Sequence, residues 1–225
     1  MKNYRSITNL QSRLLIPEVN RFTYIFPNPR EASKEGLVAW GGDLKADRVV
    51  SAYLQGIFPW YNENDPILWW SPDPRLVLYP KDIKISKSLK RNMKKYEVKI
   101  DTNFEAVMRK CRDVRVDNDE GTWILEDVIE TYVQIHKQGL AKSFEVYYED
   151  ELVGGLYGID LGHIFCGESM FQTKSDASKI ALVYLAQYCL ENGYELIDCQ
   201  VPSNHLKSMG AVEMARDEFL DFLNK

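Results

Sequence analysis

The pattern of apolar and polar residues changes character at about residue 73. Before that point turn-forming and aromatic residues dominate, and residues 46–55 have the apolar spacing of a short helix. Three prolines between Pro66 and Pro74 exclude a helix there, because proline fixes φ and lacks a backbone donor. We therefore predict an N-terminal α/β domain at residues 1–73, with an aromatic and proline-rich platform, and a second domain at residues 74–225.

The second part has the regular periodicities of strands and helices. Strands are predicted at residues 76–78, 97–100, 143–148, 152–159, 163–171 and 196–201. Helices are predicted at residues 86–95, 104–111, 127–138, 177–192 and 216–223. Turns are expected at Asp150-Glu151 and Leu161-Gly162. This order predicts an α/β fold with a central mixed sheet flanked by helices, and it resembles the arrangement of the GCN5-related N-acetyltransferases (GNAT).

The charge of the chain is unevenly distributed. The formal net charge is −5, yet eight basic residues face only Asp82 and Glu97 between Lys81 and Lys99. We name residues 81–99 the basic strip, and its concentrated positive charge is typical of a surface that binds a polyanion. Helical spacing places its lysines on one face. The residues predicted to contact nucleic acid are Lys84, Lys87, Lys90, Arg91, Lys94 and Lys95.

Composition indicates in which cellular compartment the protein is found. No apolar run approaches the roughly 20 residues needed to span a bilayer, and residues 1–13 lack the apolar segment of a secretory signal. The four cysteines are widely spaced and form no CxxC pair, which favours free thiols over disulfides or a metal site. We therefore expect a cytoplasmic protein that has no metal and does not associate with membranes.

The segment after the predicted strand at 163–171 bears on the acyl donor. Acetyltransferases hold the pyrophosphate of acetyl-CoA on glycine-rich backbone at a helix N-terminus. Here residues 172–179 contain no glycine. The sequence therefore predicts an acyl-transfer scaffold that uses a donor other than acetyl-CoA.

Two polar residues interrupt the apolar strand at 196–201. Alternation in a strand places Asp198 and Gln200 on one face and Cys199 on the other. Asp198 and Gln200 either form a structural pair that ties the sheet to a loop, or act in catalysis, with Asp198 orienting Gln200 and the Gln200 amide oxygen holding an attacking amine. A cysteine nucleophile is disfavoured, because Cys199 faces away from this pair and no histidine lies nearby in the sequence.

Glu168 and the tryptophans are further candidates. Glu168 lies in the apolar segment 165–171 beside Gly167, which suits a pocket for a neutral side chain, although a solvated edge strand would give the same pattern. The tryptophans at positions 60, 69, 70 and 123 offer stacking surface for an unpaired base or serve as core. Adjacent Trp69 and Trp70 cannot share a face in extended chain, so at least one is expected to pack inside.

Six blocks of sequence resemble the leucyl/phenylalanyl-tRNA–protein transferase family. They lie at residues 36–44, 53–60, 66–75, 120–124, 165–171 and 197–201, and Trp-Trp-Ser-Pro-Asp-Pro-Arg at 69–75 is the most specific. The resemblance implies an N-terminal domain and a GNAT-like catalytic domain. It also implies transfer of Leu or Phe, and less well Met, from aminoacyl-tRNA to proteins that start with Arg or Lys, which marks them for N-degron degradation. Because the donor is already an activated ester, neither a cofactor nor a metal is expected, and we expect a monomer.

The resemblance also assigns roles to residues. Trp60 is expected to stack on the 3′-terminal adenine, while Tyr53, Trp123 and Tyr132 frame the site. Asp198 and Gln200 are expected at the reaction centre. Glu168 is expected near the α-amino group of the donor. The donor pocket, which would hold the donor side chain, is expected to comprise Leu156, Phe165, Met170, Leu182, Leu185 and Ile197.

One departure and several alternatives remain. Leu185 stands where the resemblance leads us to expect phenylalanine, which predicts a wider donor pocket. The proton of the attacking amine could pass to Asp198, directly or through water, or to the ribose 2′-hydroxyl of the tRNA. Two alternative functions remain open. One is a GNAT-type transferase that uses aminoacyl-tRNA for another acceptor, such as a cell-wall peptide. The other is a non-catalytic protein that binds tRNA or degrons.

Overall fold

The computed structural model of the protein describes residues 18–19, 24–117 and 121–224. The polar segment 1–13 and Glu120 of the fourth block lie outside the described residues. Among the helices in the described ranges, none is long and apolar enough to cross a membrane.

The N-terminal region forms a small sheet around the predicted aromatic platform. Its strands pair in the order β1-β2-β4-β3, and they are β1 (Glu18–Val19), β2 (Leu37–Gly41), β3 (Phe58–Pro59) and β4 (Leu68–Trp70). Trp69 and Trp70 in β4 are both buried, and their indole N–H groups donate to the carbonyl oxygens of Gly41 (2.9 Å) and Trp60 (2.6 Å). The N–H groups of both buried indoles therefore have hydrogen-bond partners, as buried tryptophans usually do.

A seven-stranded sheet occupies the rest of the described chain. Its strands pair in the order β11-β5-β10-β9-β8-β7-β6, and β9 and β10 are parallel while all other neighbours are antiparallel. The strands are β5 (Arg75–Leu78), β6 (Glu97–Ile100), β7 (Ala141–Tyr148), β8 (Glu151–Asp160), β9 (Ile164–Gln172), β10 (Leu196–Gln200) and β11 (Val212–Met214).

Helices cover both faces of this sheet and create one apolar core on each face. The α-helices are α1 (Ala46–Tyr53), α2 (Lys87–Met93), α3 (Phe104–Asp117), α4 (Glu126–Lys137), α5 (Ala177–Glu191), α6 (Asn204–Ser208) and α7 (Arg216–Leu223). α3 and α4 share the first core with the N-terminal region, whereas α5 fills the second. Two 3₁₀ turns lie at Pro29–Glu31 and Pro80–Asp82. The predicted α/β class with a central mixed sheet is confirmed.

The predicted elements differ from the observed ones in a few places. The turn between β7 and β8 lies at Glu149-Asp150 and not at Asp150-Glu151, because both Glu149 (φ 51°) and Asp150 (φ 63°) adopt the left-handed conformation that a two-residue hairpin turn requires. α3 extends beyond the predicted end at residue 111 to Asp117. The short elements β2, β11 and α6 have too few residues to give a periodic pattern and were missed.

The parallel strands β9 and β10 separate in the middle of the sheet. They pair from Ile164 opposite Leu196 to Cys166 opposite Asp198, after which β9 continues to Gln172 and β10 ends at Gln200. The pairing of β10 with β5 is also irregular between Asp198 and Gln200. The two strands therefore diverge around Gly167, and polar side chains can meet there without breaking the sheet.

The last helix returns to the N-terminal region. The Cβ of any other residue at Gly56 would lie 2.4 Å from Leu220 Cδ2, so α7 and the loop after α1 are in close contact. Arg30 forms ion pairs with Asp217 (3.1 Å) and Asp221. Residues on both sides of position 73 thus share a core, and the domain boundary proposed there stays a prediction.

Candidate active site

Four polar side chains from four elements converge where β9 and β10 diverge. We name Tyr53, Tyr132, Glu168 and Gln200 the carboxylate–amide cluster. Glu168 Oε1 accepts hydrogen bonds from the Tyr53 hydroxyl (2.6 Å) and from Gln200 Nε2 (2.7 Å), and Glu168 Oε2 accepts one from the Tyr132 hydroxyl (3.2 Å). The two tyrosine oxygens are 2.7 Å apart. Predicted site residues from both sides of residue 73 are therefore brought together around the Glu168 carboxylate.

The Glu168 carboxyl titrates near neutral pH. Its side chain is half-buried, and burial raises its pKa to about 7. Hydrogen bonds from Tyr53 and Gln200 lower this pKa, and the nearby charge of Asp198 raises it. Burial and the charge of Glu168 raise the pKa of both tyrosines well above the usual value, so they stay protonated and act as donors. The solvated edge strand considered from the sequence does not describe Glu168.

Gln200 reaches the cluster through an unusual backbone conformation. Its φ is +63°, in the left-handed region that residues with a side chain rarely adopt. The N–H of Gln200 donates to Asp198 Oδ1 at 2.9 Å, which holds this conformation. Asp198 and Gln200 are both buried, but the irregular β10 directs their side chains to different partners. The link between them therefore runs from carboxylate to main chain.

Asp198 forms an ion pair that the sequence analysis missed. Arg75 donates from Nε to Asp198 Oδ1 (2.8 Å) and from Nη2 to Asp198 Oδ2 (2.6 Å), and both side chains are excluded from solvent. The one available signal was physical: a buried aspartate needs a cationic or hydrogen-bonding partner. Arg75 ends the most specific sequence block and begins an apolar strand, but no local pattern links it to Asp198.

The residues predicted for the donor pocket all belong to the second core. Five are fully buried and Met170 is partly buried, and they come from β8, β9, α5 and β10. Leu182 and Leu185 lie on neighbouring turns of α5, whereas Leu156 and Met170 pair across β8 and β9. Phe165, Met170 and Ile197 lie on the same two diverging strands as Glu168 and Gln200, so a ligand held by both groups would have an apolar and a polar end.

The tryptophans occupy different environments. Trp60 is half-buried, and its ring centroid lies 6.1 Å from that of Trp70. Trp123 is buried and packs edge-on against Tyr132, with ring centroids 6.4 Å apart. Trp69 is fully buried. Of the candidates for base stacking, Trp60 is therefore less buried than Trp69, Trp70 and Trp123, and Trp123 packs against Tyr132 of the carboxylate–amide cluster.

The basic side chains of and around α2 project into solvent. All six predicted tRNA-contacting residues of the basic strip are exposed, and Leu89 is the buried residue on the opposite face of α2. Ser86 caps this helix by accepting from the Leu89 N–H at 3.1 Å. Asn92 Nδ2 donates to Asp176 Oδ2 at 2.8 Å, which fixes α2 against the segment before α5. The strip is thus a fixed positive surface.

Cys199 has the properties of an inert thiol. It is half-buried, burial raises its pKa, and the charge of Asp198 raises it further. A thiol with a raised pKa is a poor nucleophile at neutral pH. The geometry therefore agrees with the sequence argument against a cysteine nucleophile.

Comparison with known proteins gives a consistent result. Residues 77–224 match the family model of the leucyl/phenylalanyl-tRNA protein transferases, and residues 42–73 match the model of their N-terminal domain. A leucyl/phenylalanyl-tRNA–protein transferase from Sulfurimonas denitrificans is 50% identical over 211 residues, which covers 94% of this chain and 92% of the relative. One from Syntrophobacter fumaroxidans is 53% identical over 201 residues, covering 88% of this chain and 86% of the relative.

Solved structures resemble the chain more distantly. A GCN5-related N-acetyltransferase from Kribbella flavida has a TM-score of 0.40 and 9% identity, covering 74% of this chain and 60% of the other. An aminoglycoside acetyltransferase from a soil metagenomic sample has a TM-score of 0.41 and 14% identity, covering 51% and 84%. The family models and the relatives with half of their residues identical decide the assignment. The chain belongs to the leucyl/phenylalanyl-tRNA–protein transferase family and is an enzyme of the transferase class.

Proposed function

We propose that the enzyme transfers Leu or Phe, and less well Met, from aminoacyl-tRNA to the N-terminal α-amine of proteins that begin with Arg or Lys. One observation carries the proposal: Glu168 and Gln200 lie on the diverging strands β9 and β10, which also carry three residues of the donor pocket. A carboxylate suits the α-amino group of an aminoacyl ester, and an apolar pocket suits its Leu or Phe side chain. This arrangement fits an aminoacyl donor better than an acetyl donor.

The reaction needs positioning more than chemical activation. The amine nitrogen attacks the ester carbonyl carbon, a C–N bond forms, the bond to the ribose oxygen breaks, and one proton passes from the amine to that oxygen. Holding amine and ester in attack geometry can contribute roughly 7–11 kcal/mol. Because Gln200 Nε2 donates to Glu168, the Gln200 amide oxygen stays available to accept from the attacking amine.

Asp198 serves this reaction as an orienting group. Both of its oxygens already accept from Arg75, one also accepts from the Gln200 N–H, and the side chain has no exposure to solvent. Direct proton transfer from the amine to Asp198 would have to break this ion pair inside a dry core. We therefore assign proton transfer to the ribose 2′-hydroxyl or to Glu168, whose pKa of about 7 suits an acceptor at neutral pH.

The remaining assignments follow from position and charge. Trp60 offers the ring on which the terminal adenine stacks, and the basic strip contacts the tRNA backbone. Cys111, Cys166, Cys189 and Cys199 are free, which suits the reducing cytoplasm where charged tRNA is found. We infer that the monomer acts there on proteins destined for degradation by the N-degron route.

A transfer assay tests the function. Labelled Leu-tRNA and Phe-tRNA are incubated with the enzyme and with peptides that begin with Arg, Lys, Asp or Ala, and label is expected in the Arg and Lys peptides alone. An Arg peptide with an acetylated N-terminus is the control, because it has no free α-amine. A cell-wall peptide is tested as a further acceptor. Label on its side-chain amine would indicate the alternative hypothesis, a GNAT-type transferase that uses aminoacyl-tRNA for another acceptor. Binding of Phe-tRNA with no label on any peptide would identify a binding protein.

A further inference from the structure

Arg75 is a buried cation that contacts Asp198 at the reaction centre, and the proposed chemistry assigns no role to it. Its side chain is 1% exposed. Two of its nitrogens bind Asp198, and the third, Nη1, donates to the Gly56 carbonyl oxygen at 3.3 Å. All three nitrogens of the guanidinium therefore have protein partners, and its orientation is fixed.

Two aromatic rings clamp this guanidinium. The Phe58 ring centroid lies 4.8 Å and the Phe219 ring centroid 4.6 Å from Arg75 Cζ. Phe58 belongs to the N-terminal sheet and Phe219 to the last helix, so three distant parts of the chain meet at Arg75. The planar fork of arginine fits such a slot and binds a carboxylate through two donors, which a lysine ammonium cannot do.

The clamp connects to the reaction centre through an unbroken series of hydrogen bonds. Arg75 holds Asp198, Asp198 Oδ1 accepts from the Gln200 N–H, and Gln200 Nε2 donates to Glu168. The φ of +63° at Gln200 is unfavourable for a residue with a side chain, so it persists only where the surroundings enforce it. The Asp198 carboxylate enforces it, and Arg75 fixes that carboxylate.

We propose that Arg75 is a positioning residue of the transfer reaction, which acts through Asp198 to hold Gln200 in the conformation that aims its amide at the attacking amine. The inference rests on the proposed function, since the reaction it serves is the transfer described above. It also gives the C-terminal helix a part in that reaction, because Phe219 covers one face of the guanidinium.

The main test compares Arg75→Ala with a matched control. Arg48 is also fully buried. Its Nε lies 2.9 Å from Asp43 Oδ1, and its Cζ lies 5.2 Å from the Tyr24 ring centroid. Neither Asp43 nor Tyr24 belongs to the carboxylate–amide cluster. Both variants are expected to melt at lower temperature. At a temperature where both are folded, Arg75→Ala is expected to lower kcat about 100-fold, with KM for Phe-tRNA and for the Arg peptide changed less than about three-fold. Arg48→Ala is expected to keep kcat within about three-fold.

A double variant tests whether Arg75 acts through Gln200. In a Gln200→Ala background, Arg75→Ala is expected to lower kcat by less than about three-fold, because the group it positions is already missing. Equal losses of kcat in Arg75→Ala and Arg48→Ala, or a full further 100-fold loss in the Gln200→Ala background, would overturn the proposal.

A conservative variant covers the case in which Arg75→Ala does not fold. Arg75→Lys keeps the charge and loses the fork, so it is expected to fold and to lose roughly ten-fold in kcat. Wild-type kcat in Arg75→Lys would refute the positioning role. A wild-type enzyme that transfers no label would instead refute the proposed function, and the two failures are therefore distinguishable.

Discussion

Gln200 and Glu168 are joined by a 2.7 Å hydrogen bond from the amide nitrogen to the carboxylate, although 32 residues separate them in the chain. The bond spans the gap where β9 and β10 have stopped pairing. It fixes the amide of Gln200, so that the nitrogen faces the carboxylate and the oxygen is left for a ligand. Two predicted site residues are thereby arranged as one unit.

Replacement of Gln200 tests this unit directly. Gln200→Ala removes the acceptor for the attacking amine, and kcat for transfer from Phe-tRNA to an Arg peptide is expected to fall about 100- to 1000-fold, the usual cost of losing one polar group at a reacting centre. Gln138→Ala is the control, because Gln138 is exposed after the last turn of α4. Near-normal kcat in Gln200→Ala would show that the amide takes no part in the reaction.

The raised pKa of Glu168 predicts a pH dependence of stability. Its folded-state pKa is about 7, above its usual value of 4.5. Because the folded state binds the proton more tightly, this group's contribution to stability is fully present below pH 4.5 and is lost as the pH rises through 7.

Thermal melting of wild type and Glu168→Gln between pH 4 and pH 8 checks this dependence. The difference in Tm between the two proteins is expected to change in favour of Glu168→Gln as the pH rises through that window, because glutamine cannot ionise. Glu151→Gln, at an exposed position that begins β8, is the control and should give a difference in Tm that is nearly independent of pH. A constant difference for Glu168→Gln would contradict the raised pKa.

Many of the helices and strands in residues 74–225 could be predicted from the sequence, for physical reasons. α7 was predicted at its observed bounds, Arg216–Leu223, and α5 within one residue, because apolar residues recur in both at the spacing of a helix. The first sheet could not be predicted in this way, since its strands have two to five residues each.

Many residues of the site could be predicted from the sequence, but the contacts between them could not. Asp198 and Gln200 were recognised as polar residues in an apolar strand, which is a local signal. The ion pair of Asp198 with Arg75 joins residues 123 positions apart, and nothing in either local sequence indicates it. The φ of +63° at Gln200 was equally hidden, because it depends on a tertiary contact with the Asp198 carboxylate and not on a glycine.

Trp60 is predicted to bind the terminal adenine of the donor. Trp60→Ala is expected to raise KM for an aminoacyl-adenosine by roughly 5- to 150-fold, because stacking on one base contributes about 1–3 kcal/mol. Trp60→Phe keeps an aromatic face and should lose less. Equal KM values for Trp60→Ala and wild type, measured with the same aminoacyl-adenosine, would assign Trp60 to the packing against Trp70 alone.

Leu185 is predicted to set the donor preference. It is buried in the second core beside Leu182, and a larger side chain there would narrow the donor pocket. Leu185→Phe is expected to lower the ratio of kcat/KM for Phe-tRNA to that for Leu-tRNA by roughly ten-fold, the scale at which a few atoms in an apolar pocket discriminate. Leu190→Phe, exposed near the end of the same helix, should leave the ratio unchanged. An unchanged ratio in Leu185→Phe would place this residue outside the pocket.

The basic strip is predicted to supply affinity for tRNA and little else. Each phosphate that a lysine or arginine neutralises adds about 0.7–0.9 to the slope of log affinity against log salt. Replacing Lys87, Arg91 and Lys94 by glutamine is therefore expected to weaken tRNA binding and to reduce that slope by roughly 2–3, whereas transfer from an aminoacyl-adenosine, which has no acceptor stem, stays unchanged.

The matched control removes the same charge elsewhere, by replacing the exposed Lys34, Lys110 and Lys137 with glutamine. Both triple variants lower the net charge by the same amount, so a general effect of charge would weaken tRNA binding equally in the two. Only a local contact surface on α2 would make the first variant lose affinity and salt dependence while the second keeps both. Equal losses would assign tRNA binding to the whole surface and remove the role of the strip.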